Sequence, residues 1–575
     1  MIREITHVLS AVEFSRAARN PSKPRLMSVV CAVVLALIVS PGDAEAQTRH
    51  FDVGLGLAGN SEQDRYLRVL QSLGLVRAYP WTVRGFSPAE ERLLLPVEGV
   101  RHPWAAAFGS PSVADGELRV GVVPFEGGAT YNSTFPYGSN DGALWAGRGV
   151  TAFASGGVYA RWRGVDLRFA PEVFWAQNAG FDLAGNRGDG PDAYRDPRYP
   201  GSIDLPQRFG DRPYLRAALG RSRLTVELPW TTVGISSEAR IWGPSLAYPL
   251  LLGDEAGGFP HVFLRSARPL GPGVLSVHGQ LMVGYLGQSD WSPVQGSGAR
   301  SRYMTGAVIT VGSDLLPGLE IGVERFVQGP WQGGLDAVSN VGKPFTKGVS
   351  TGYDDGNIEN ENQIAGGFVR WVVAGTGIEV FAEAVREDYG RSIRHFLLEP
   401  DDLLVRSVGF RRAWTSLSGS IWAIRGEFVS AQLHHSERAD RAAAGGLNPI
   451  ARYRHTGVRQ GHTLRGQLLA APAAFGGSGW TIAVEDFRPS GRTTVEVTRE
   501  VRLNWLAGLS QDSEVAARNS VRYGLSVDIV RFWAGTEIAV VGGPQVELNR
   551  NLVLGWTAWN LNLGVAFRGL RFDSD

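Results

Sequence analysis

The sequence predicts an all-β fold: an antiparallel barrel that crosses a membrane with its strands. The prediction depends on long segments of period-two alternation, an export signal at the start of the chain, and aromatic residues near the predicted strand ends. The clearest alternating segments are residues 274–285, 493–505, 521–529 and 559–567. They run nine to thirteen residues, longer than the globular mode of about five or six and close to the roughly 9–11 of a tilted spanning strand.

Residues 1–46 have the pattern of a secretion signal. Arg16, Arg19, Lys23 and Arg25 precede the apolar run 29–39, and Ala44 and Ala46 form a small-x-small cleavage site. The run has about eleven residues, too few for a helix to span a bilayer core of roughly 30 Å. We therefore expect that the chain is exported and that residues 1–46 are removed.

Composition excludes several classes of function. The single cysteine, Cys31, lies in the predicted signal, so the mature chain has no disulfide, thiolate metal site or cysteine nucleophile. The signal holds five basic and four acidic residues of the totals of 57 and 56, which leaves 52 of each. A neutral mature chain argues against nucleic-acid binding, which depends on surplus positive charge.

Residues 47–115 are predicted to form a small helical region. The segment Ser61-Glu-Gln-Asp64 has the form of a capping box, and the helix that follows ends at Gly74. A second helix begins with Ser87 as N-cap and Pro88 at the first helical position. Helices this short need a surface to pack on. We expect the region to lie in the periplasm and to plug one end of the barrel, or else to dock a partner.

Residues 116–575 are predicted to form the barrel. At about 25 residues per strand and connection, this length corresponds to about 18 strands, within a range of 16–18. Such a barrel is too wide for side chains alone to fill, so the lumen is either a channel or is plugged by loops. The candidates for plugs or outside loops are residues 177–213, 234–260, 329–362 and 438–460.

The stretch 234–261 is both rich in turn residues and apolar. Its prolines remove backbone donors and its glycines allow positive φ, yet it carries Trp242, three consecutive leucines and Phe259. A loop of this composition is expected to fold inward and plug the barrel. The residues predicted to shape the plug are Gly243, Pro244, Pro249, Gly258 and Pro260.

Several motifs accompany this loop, whose own pattern is GIS-x-E-x-x-x-WGP. They are Tyr66-Leu-Arg-x-Leu-x-x-Leu-Gly74, Ser202-Ile-Asp-Leu-Pro-Gln-Arg-Phe-Gly210, Gly377-Ile-Glu-Val-Phe-Ala-Glu-Ala-Val-Arg-Glu-Asp388, Glu399-Pro-Asp-Asp402, Tyr453-Arg-His455 and Gly461-His-Thr-Leu-Arg-Gly-Gln467. From about residue 55 to the end, the chain thus resembles the capsule-assembly Wzi family of outer-membrane barrels. The resemblance implies a lectin-like protein without enzymatic activity that binds capsular or extracellular polysaccharide and helps to hold it on the cell surface.

Sugars bind to aromatic faces and to planar charged donors. The aromatic candidates are Trp242, Tyr248 and Phe259, and the donor candidates are Arg386, Arg454, Arg459 and Arg465. For each residue the alternative is structural, because loop aromatics also pack plugs and lumen arginines also pair with carboxylates.

An enzymatic function is not predicted. Glu379 and Glu383 share one face of a strand about 13 Å apart, beyond the separations of up to about 9.5 Å that glycosidases use. His455 and His462 make at most a weak ligand pair, and we predict neither a metal nor a cofactor. The alternative function is a porin for small solutes. Expected partners are polysaccharide, outer-membrane lipid and lipopolysaccharide, and the barrel-assembly machinery during insertion.

Overall fold

Eighteen antiparallel strands close into one barrel within the described part of the chain. The computed structural model describes residues 49–50, 61–96, 99–108, 118–185, 188–271, 274–296, 300–333, 336–346, 361–387, 404–432, 452–501, 519–533, 535–569 and 571–572. The predicted signal and the motif at 399–402 lie outside these residues. The predicted fold class and the upper value of the predicted strand number are confirmed.

The first nine strands follow one another around the wall. They are β1 (Arg119–Asn132), β2 (Gly149–Trp162), β3 (Val165–Phe169 and Glu172–Ala176), β4 (Tyr214–Ala218 and Arg223–Glu227), β5 (Thr231–Ser236), β6 (His261–Ser266), β7 (Leu275–Leu286), β8 (Arg302–Ser313) and β9 (Leu319–Pro330). β3 is interrupted at Pro171, which has no N–H to donate. Both halves of β3 pair with β2 and with the halves of β4, so each counts as one strand.

The remaining nine strands complete the circle. They are β10 (Asn362–Val373), β11 (Ile378–Glu387), β12 (Leu404–Thr415), β13 (Ile421–Ser430), β14 (Ser478–Arg488), β15 (Gly491–Val501), β16 (Val521–Trp533), β17 (Thr536–Leu548) and β18 (Ala558–Gly569). β18 closes the barrel against β1, with Asn562 opposite Asn132 and Arg568 opposite Glu126. Closure leaves no free sheet edge over this span.

The alternation along the strands places exposed apolar side chains on the outside of the barrel and buried side chains on the inside. On β7, Leu275 and Val277 are exposed on the outside, whereas His278 and Gln280 are buried on the inside. The other three alternating segments lie on β15, β16 and β18, although residues 502–505 fall outside the described part. An apolar outer wall is what a bilayer requires of a spanning barrel.

The two ends of the barrel differ in their connections. Eight connections at one end run from two to eight residues, and nine at the other run from nine to 47. The four long segments predicted from the sequence all belong to the second end, here called the loop end. Short turns on one side and long loops on the other are typical of outer-membrane barrels.

Both predicted helices are present. α1 (Glu62–Ser72) begins at Ser61, whose hydroxyl accepts the N–H of Asp64 at 3.1 Å. α2 (Pro88–Leu93) begins at Ser87, which forms a reciprocal capping box with Glu90. Among the described residues, neither these helices nor any other is long and apolar enough to cross a membrane.

The helices pack against the inward face of the barrel at the end with short turns. Gly377, the last residue of the turn before β11, donates its N–H to the carbonyl of Ser72 at 2.9 Å. Glu90 of α2 accepts Arg265 of β6 at 2.6 Å and hydrogen-bonds His278 of β7 at 2.9 Å. Burial disfavours the charge on Glu90, but Arg265 and His278 outweigh it and hold the pKa of Glu90 at about 2. Charge pairs therefore fasten the helical region to the wall.

Candidate functional site

The loop that follows β5 folds into the barrel and packs against its inner wall. Ile241 and Trp242 of the loop pair with Arg84 and Val83 of the helical region. The loop from one end of the barrel and the helical region from the other therefore meet inside it. The loop and the wall share one buried apolar cluster, whose members include Trp242, Tyr248, Leu250, Leu251, Leu252, Phe259, Met304, Val308, Phe326, Phe368, Val385, Val405 and Val429. The predicted inward-folded plug is confirmed.

The residues predicted to shape the plug each have a visible constraint. Gly243 has φ +78°, and a Cβ there would lie 2.3 Å from the Glu383 carboxylate. A Cβ at Gly258 would lie 1.9 Å from the carbonyl of Ser237. The carbonyls of the three prolines bind neighbouring elements: Pro244 accepts Arg68, Pro249 accepts the N–H of Ala471, and Pro260 accepts the N–H of Tyr285.

The three aromatic residues predicted to bind a glycan are buried inside the plug. Trp242 donates its indole N–H to Gln280 at 3.3 Å, and Phe259 lies against the ring of His261. Tyr248 has 3% of its surface exposed. In this structure their faces contact protein, and their role in glycan binding stays a prediction.

The four predicted arginines separate into three places. Arg454 stacks on Tyr199 at 4.6 Å, and Arg459 donates to the carbonyl of Gly201 at 2.8 Å, so both support the turn 196–201 at the loop end. Arg465 is half-buried, and its N–H donates to the carbonyl of Gly287. Arg386 lies on the outward face of β11, opposite to the inward Glu383. These four side chains do not form one site.

A cavity of about 280 Å³ lies at the loop end, above the plug. Leu468 and Phe475 belong both to its lining and to the buried apolar cluster, and Leu205 packs against that cluster, so the cavity borders it. Its other lining residues include Tyr137, Trp145, Phe181, Asp196, Gln207, Glu255, Gln467, Ser520, Arg522, Glu547 and Arg550. They come from six separate segments of the chain.

One wall of the cavity is built around Glu547. Its carboxylate accepts the hydroxyl of Ser520 at 2.6 Å, Arg522 at 3.1 Å and Arg550 at 2.6 Å. Both guanidinium groups also lie over the ring of Phe135, at 4.9 and 4.4 Å. Charge pairing and stacking together fix these planar donors at the edge of the cavity.

Aromatic rings form much of the remaining wall. Tyr137 lies 5.6 Å from the guanidinium of Arg522, and Phe181 lies 5.9 Å from that of Arg550. Trp145 packs edge-on against Phe209 at 4.9 Å. These half-buried rings present apolar faces beside charged donors.

Hydrogen bonds hold the loops around the cavity. Gln467 donates to the carbonyls of Leu144 and Glu255, and its oxygen accepts Arg216. Asp196 accepts the N–H groups of Arg198 and Tyr199 at 2.9 and 2.6 Å. Burial raises the pKa of Asp196 to about 6, and these two hydrogen bonds offset only part of that effect. The site is thus largely formed before any ligand binds.

A second, more open depression continues from the cavity. The two share Phe181 and Arg550, and the second is also lined by Arg148, Asp182 and Trp556. Together they make a groove across the loop end with aromatic faces, carboxylates and guanidinium groups. Such a surface suits a polyhydroxylated chain, because sugars offer both apolar faces and hydroxyl groups.

Among the described residues, two carboxylates of the inner wall form ion pairs and hydrogen bonds within the protein. Glu379 accepts hydrogen bonds from Arg68, Arg370 and Arg411, and Glu383 accepts the N–H of Leu250. The part of the chain that the structure describes gathers no group of three or more histidine, cysteine or acidic residues able to hold a metal ion.

Gln207 and Gln467 lie in motifs that the sequence singled out, but the aromatic and charged residues around Glu547 do not. Phe181 lies in the long segment 177–213, and Arg522 occupies a polar position of an alternating strand. The signal in the sequence that could have indicated the cavity is the presence of aromatic residues in several loops at the same end of the barrel. Their convergence depends on strand order around the barrel, which periodicity does not specify.

No protein-family model and no curated protein matches the sequence. Among solved structures, the fold is similar to that of Wzi, an outer-membrane protein involved in group 1 capsule assembly in Escherichia coli and a carbohydrate-binding β-barrel, with a TM-score of 0.55, 14% identity, and coverage of 89% of this chain and 99% of that one. OccD3 and OccK7 of Pseudomonas aeruginosa match at TM-scores of 0.35 and 0.36, with 8% and 10% identity, over 79% and 80% of this chain and 91% and 100% of theirs. This chain therefore has the fold of an outer-membrane β-barrel and is similar in architecture to Wzi.

Proposed function

We propose that this protein lies in the bacterial outer membrane and binds a capsular or other extracellular polysaccharide, without enzymatic activity, at its loop end. In this arrangement the loop end faces outward and the helical region lies at the periplasmic end. The protein would be exported with residues 1–46 removed, inserted by the barrel-assembly machinery, and surrounded by outer-membrane lipid and lipopolysaccharide.

The observation that carries the proposal is a preformed aromatic and charged cavity above a filled lumen. A porin needs a continuous aqueous path, whereas Trp242, Tyr248 and Leu251 here pack against wall residues such as Phe326 and Phe368. The cavity offers rings and planar donors at a surface that a cell-attached polymer can reach. The architectural similarity to Wzi supports the same interpretation.

Binding is tested by incubating purified protein in detergent with soluble polysaccharide released from the producing cells. Trp145→Ala removes an aromatic face from the cavity, and Trp559→Ala removes an exposed tryptophan from the outer wall as a matched control. We expect wild type and the control to retain polysaccharide and the cavity variant to lose about tenfold in affinity, which corresponds to about 1.4 kcal/mol. Equal binding by all three proteins would place the contact elsewhere.

The porin alternative is tested by planar-bilayer conductance of the same preparations. A filled lumen predicts almost no steady current, whereas an open lumen produces a large one. In cells, deletion of the protein is expected to shift polysaccharide from the cell-bound to the shed fraction. A large steady conductance with no change in that partition would support the porin instead.

A further inference from the structure

Part of the outer wall of the barrel is covered by the chain itself. On β8, Met304 points inward and belongs to the cluster that the plug shares with the wall. Its neighbours Tyr303 and Thr305 therefore point outward. Tyr303 nevertheless has 3% of its surface exposed and Thr305 none. On the same face of β9 nearer the short-turn end, Val323 is 60% exposed. Something therefore shields the outer wall near the loop end.

The cover is the segment 338–346, here called the strap, which follows β9. Arg325, on the outward face of β9, donates to the carbonyl of Thr346 at 2.7 Å and to Gln363 of β10 at 2.5 Å. Thr305 donates to the carbonyl of Val341 at 3.5 Å. The strap thus lies across β8 and β9 on the outside of the barrel.

The inner side of the strap is polar and satisfied. Lys343 donates to the hydroxyl of Tyr303 at 2.9 Å and forms an ion pair with Glu361, which also accepts the Tyr303 hydroxyl at 2.5 Å. Lys343 is the one charged residue in the strap. Its charge is therefore turned toward the wall and neutralised there.

The outer side of the strap presents three apolar side chains, together with the exposed polar residues Ser339 and Thr346. Val338, Val341 and Phe345 are exposed, with Phe345 at 61%. The N–H groups of Val341, Lys343, Phe345 and Thr346 each donate to the carbonyl three residues earlier. Irregular backbone can border lipid only when its polar groups are satisfied internally. These turns meet that condition for the four N–H groups.

We infer that the strap is a lipid-contact surface, which embeds Val338, Val341 and Phe345 among the acyl chains of the outer leaflet. Its exposed apolar side chains continue the apolar surface formed below it by Ile321 and Val323 of β9. This continuity with the outward wall favours lipid over a second copy of the protein. The inference requires that the barrel lies in a bilayer, and it does not depend on glycan binding.

The test uses spin labels at single cysteines in the full-length mature protein, reconstituted in phospholipid vesicles. The mature background is expected to lack cysteine, since Cys31 lies in the predicted signal. Labels are placed with Phe345→Cys and Val341→Cys on the strap. Val323→Cys serves as a control on the outer wall, and Leu417→Cys as a control in an exposed turn. Collision rates with dissolved oxygen and with a water-soluble nickel chelate are measured for each.

At the strap positions we expect high oxygen and low nickel accessibility, as at position 323 and unlike position 417. Nickel accessibility equal to that at position 417 would place the strap in water and overturn the inference. Low accessibility to both reagents would show that protein covers the strap, as in an oligomer, and would also overturn it. Resistance of the unheated barrel to unfolding in SDS checks that each variant is folded, and two strap positions guard against loss of one.

Discussion

Arg68 of helix α1 and Glu379 of strand β11 form a buried ion pair, with Nε and Nη2 of Arg68 at 2.8 and 2.5 Å from one carboxylate oxygen. Neither side chain has appreciable contact with solvent. Arg370 and Arg411 donate to the same carboxylate from the neighbouring strands. One acidic side chain therefore binds three guanidinium groups and ties the helical region to the wall, and Arg370 pairs with Glu320 as well.

Replacing Glu379 should be among the most damaging single changes in the inner wall. Glu379→Gln leaves the buried guanidinium of Arg68 without its ion-pair partner, so we expect a loss of about 3–5 kcal/mol in the free energy of unfolding. Urea-induced unfolding in detergent micelles, followed by tryptophan fluorescence, measures the loss.

Glu324 on β9 supplies the matched control for this change. It is buried on the same inward face, but neither of its carboxylate oxygens has a hydrogen-bond partner among the described residues. A glutamine at this position has nearly the same size and breaks no hydrogen bond or ion pair among the described residues. We therefore expect Glu324→Gln to leave the free energy of unfolding unchanged or to raise it. Similar destabilisation by both variants would contradict the proposal that the ion pairs of Glu379 stabilise the fold.

The helical region should give opposite pH dependences at two carboxyl groups. Burial raises the pKa of Asp64 from 3.8 to about 6, and nearby Arg84 and Arg68 offset only part of the shift. The folded state then binds the proton more tightly, so an ionised Asp64 costs stability above pH 6. Asp64→Asn should stabilise by about 3 kcal/mol above pH 7. The gain should fade below about pH 4.

Glu90 behaves in the reverse sense, because its pKa is lowered from 4.5 to about 2. The stability from its ionised form is present above pH 4.5 and is lost as the pH falls toward 2. Glu90→Gln should therefore destabilise by about 3 kcal/mol at pH 7, with a smaller effect at pH 3. Unfolding curves from pH 3 to 8 check both variants. Differences that do not vary with pH would refute the assigned shifts.

The plug should contribute substantially to stability through Trp242. Its side chain is fully buried and contacts the wall at Gly306 and Gln280. Trp242→Ala leaves a large cavity, for which the expected cost is about 3–5 kcal/mol. Trp559→Ala, on the exposed outer wall, should change the free energy of unfolding by much less in detergent. Comparable losses in the two variants would mean that the plug packs loosely.

Local periodicity explains what the sequence could predict and what it could not. Alternation identified the strands, and capping residues such as Ser61 and Ser87 located the helices, because both signals lie within a few adjacent residues. Parity along a strand also specifies the side on which the donor candidate Arg386 lies. Glu383 and Arg386 are three positions apart on one strand, so they face opposite sides, and parity alone excludes Arg386 from the lumen.

The cavity at the loop end and the strap are different, since they depend on contacts between distant segments. Phe181 and Arg550 meet because β3 and β18 lie on the same sector of a closed barrel, separated by two strands. The strap depends on a loop folding over the outside of its own barrel, for which the sequence has no periodic signal. Tertiary closure, not local propensity, determines these features.

Arg550 can separate the charge and stacking contributions to polysaccharide binding. It pairs with Glu547 at 2.6 Å and lies over Phe135 at 4.4 Å. Arg550→Lys keeps the positive charge but loses the planar fork and the stack, whereas Arg550→Ala loses all three.

If planar recognition dominates, both variants should lose polysaccharide affinity by similar factors, about tenfold each. If the charge dominates, the lysine variant should retain most of the affinity, and wild-type binding should weaken as salt is raised. Titration of soluble polysaccharide at two salt concentrations distinguishes these outcomes. Undiminished binding by Arg550→Ala, in a protein whose unfolding curve matches wild type, would remove this wall of the cavity from the binding site.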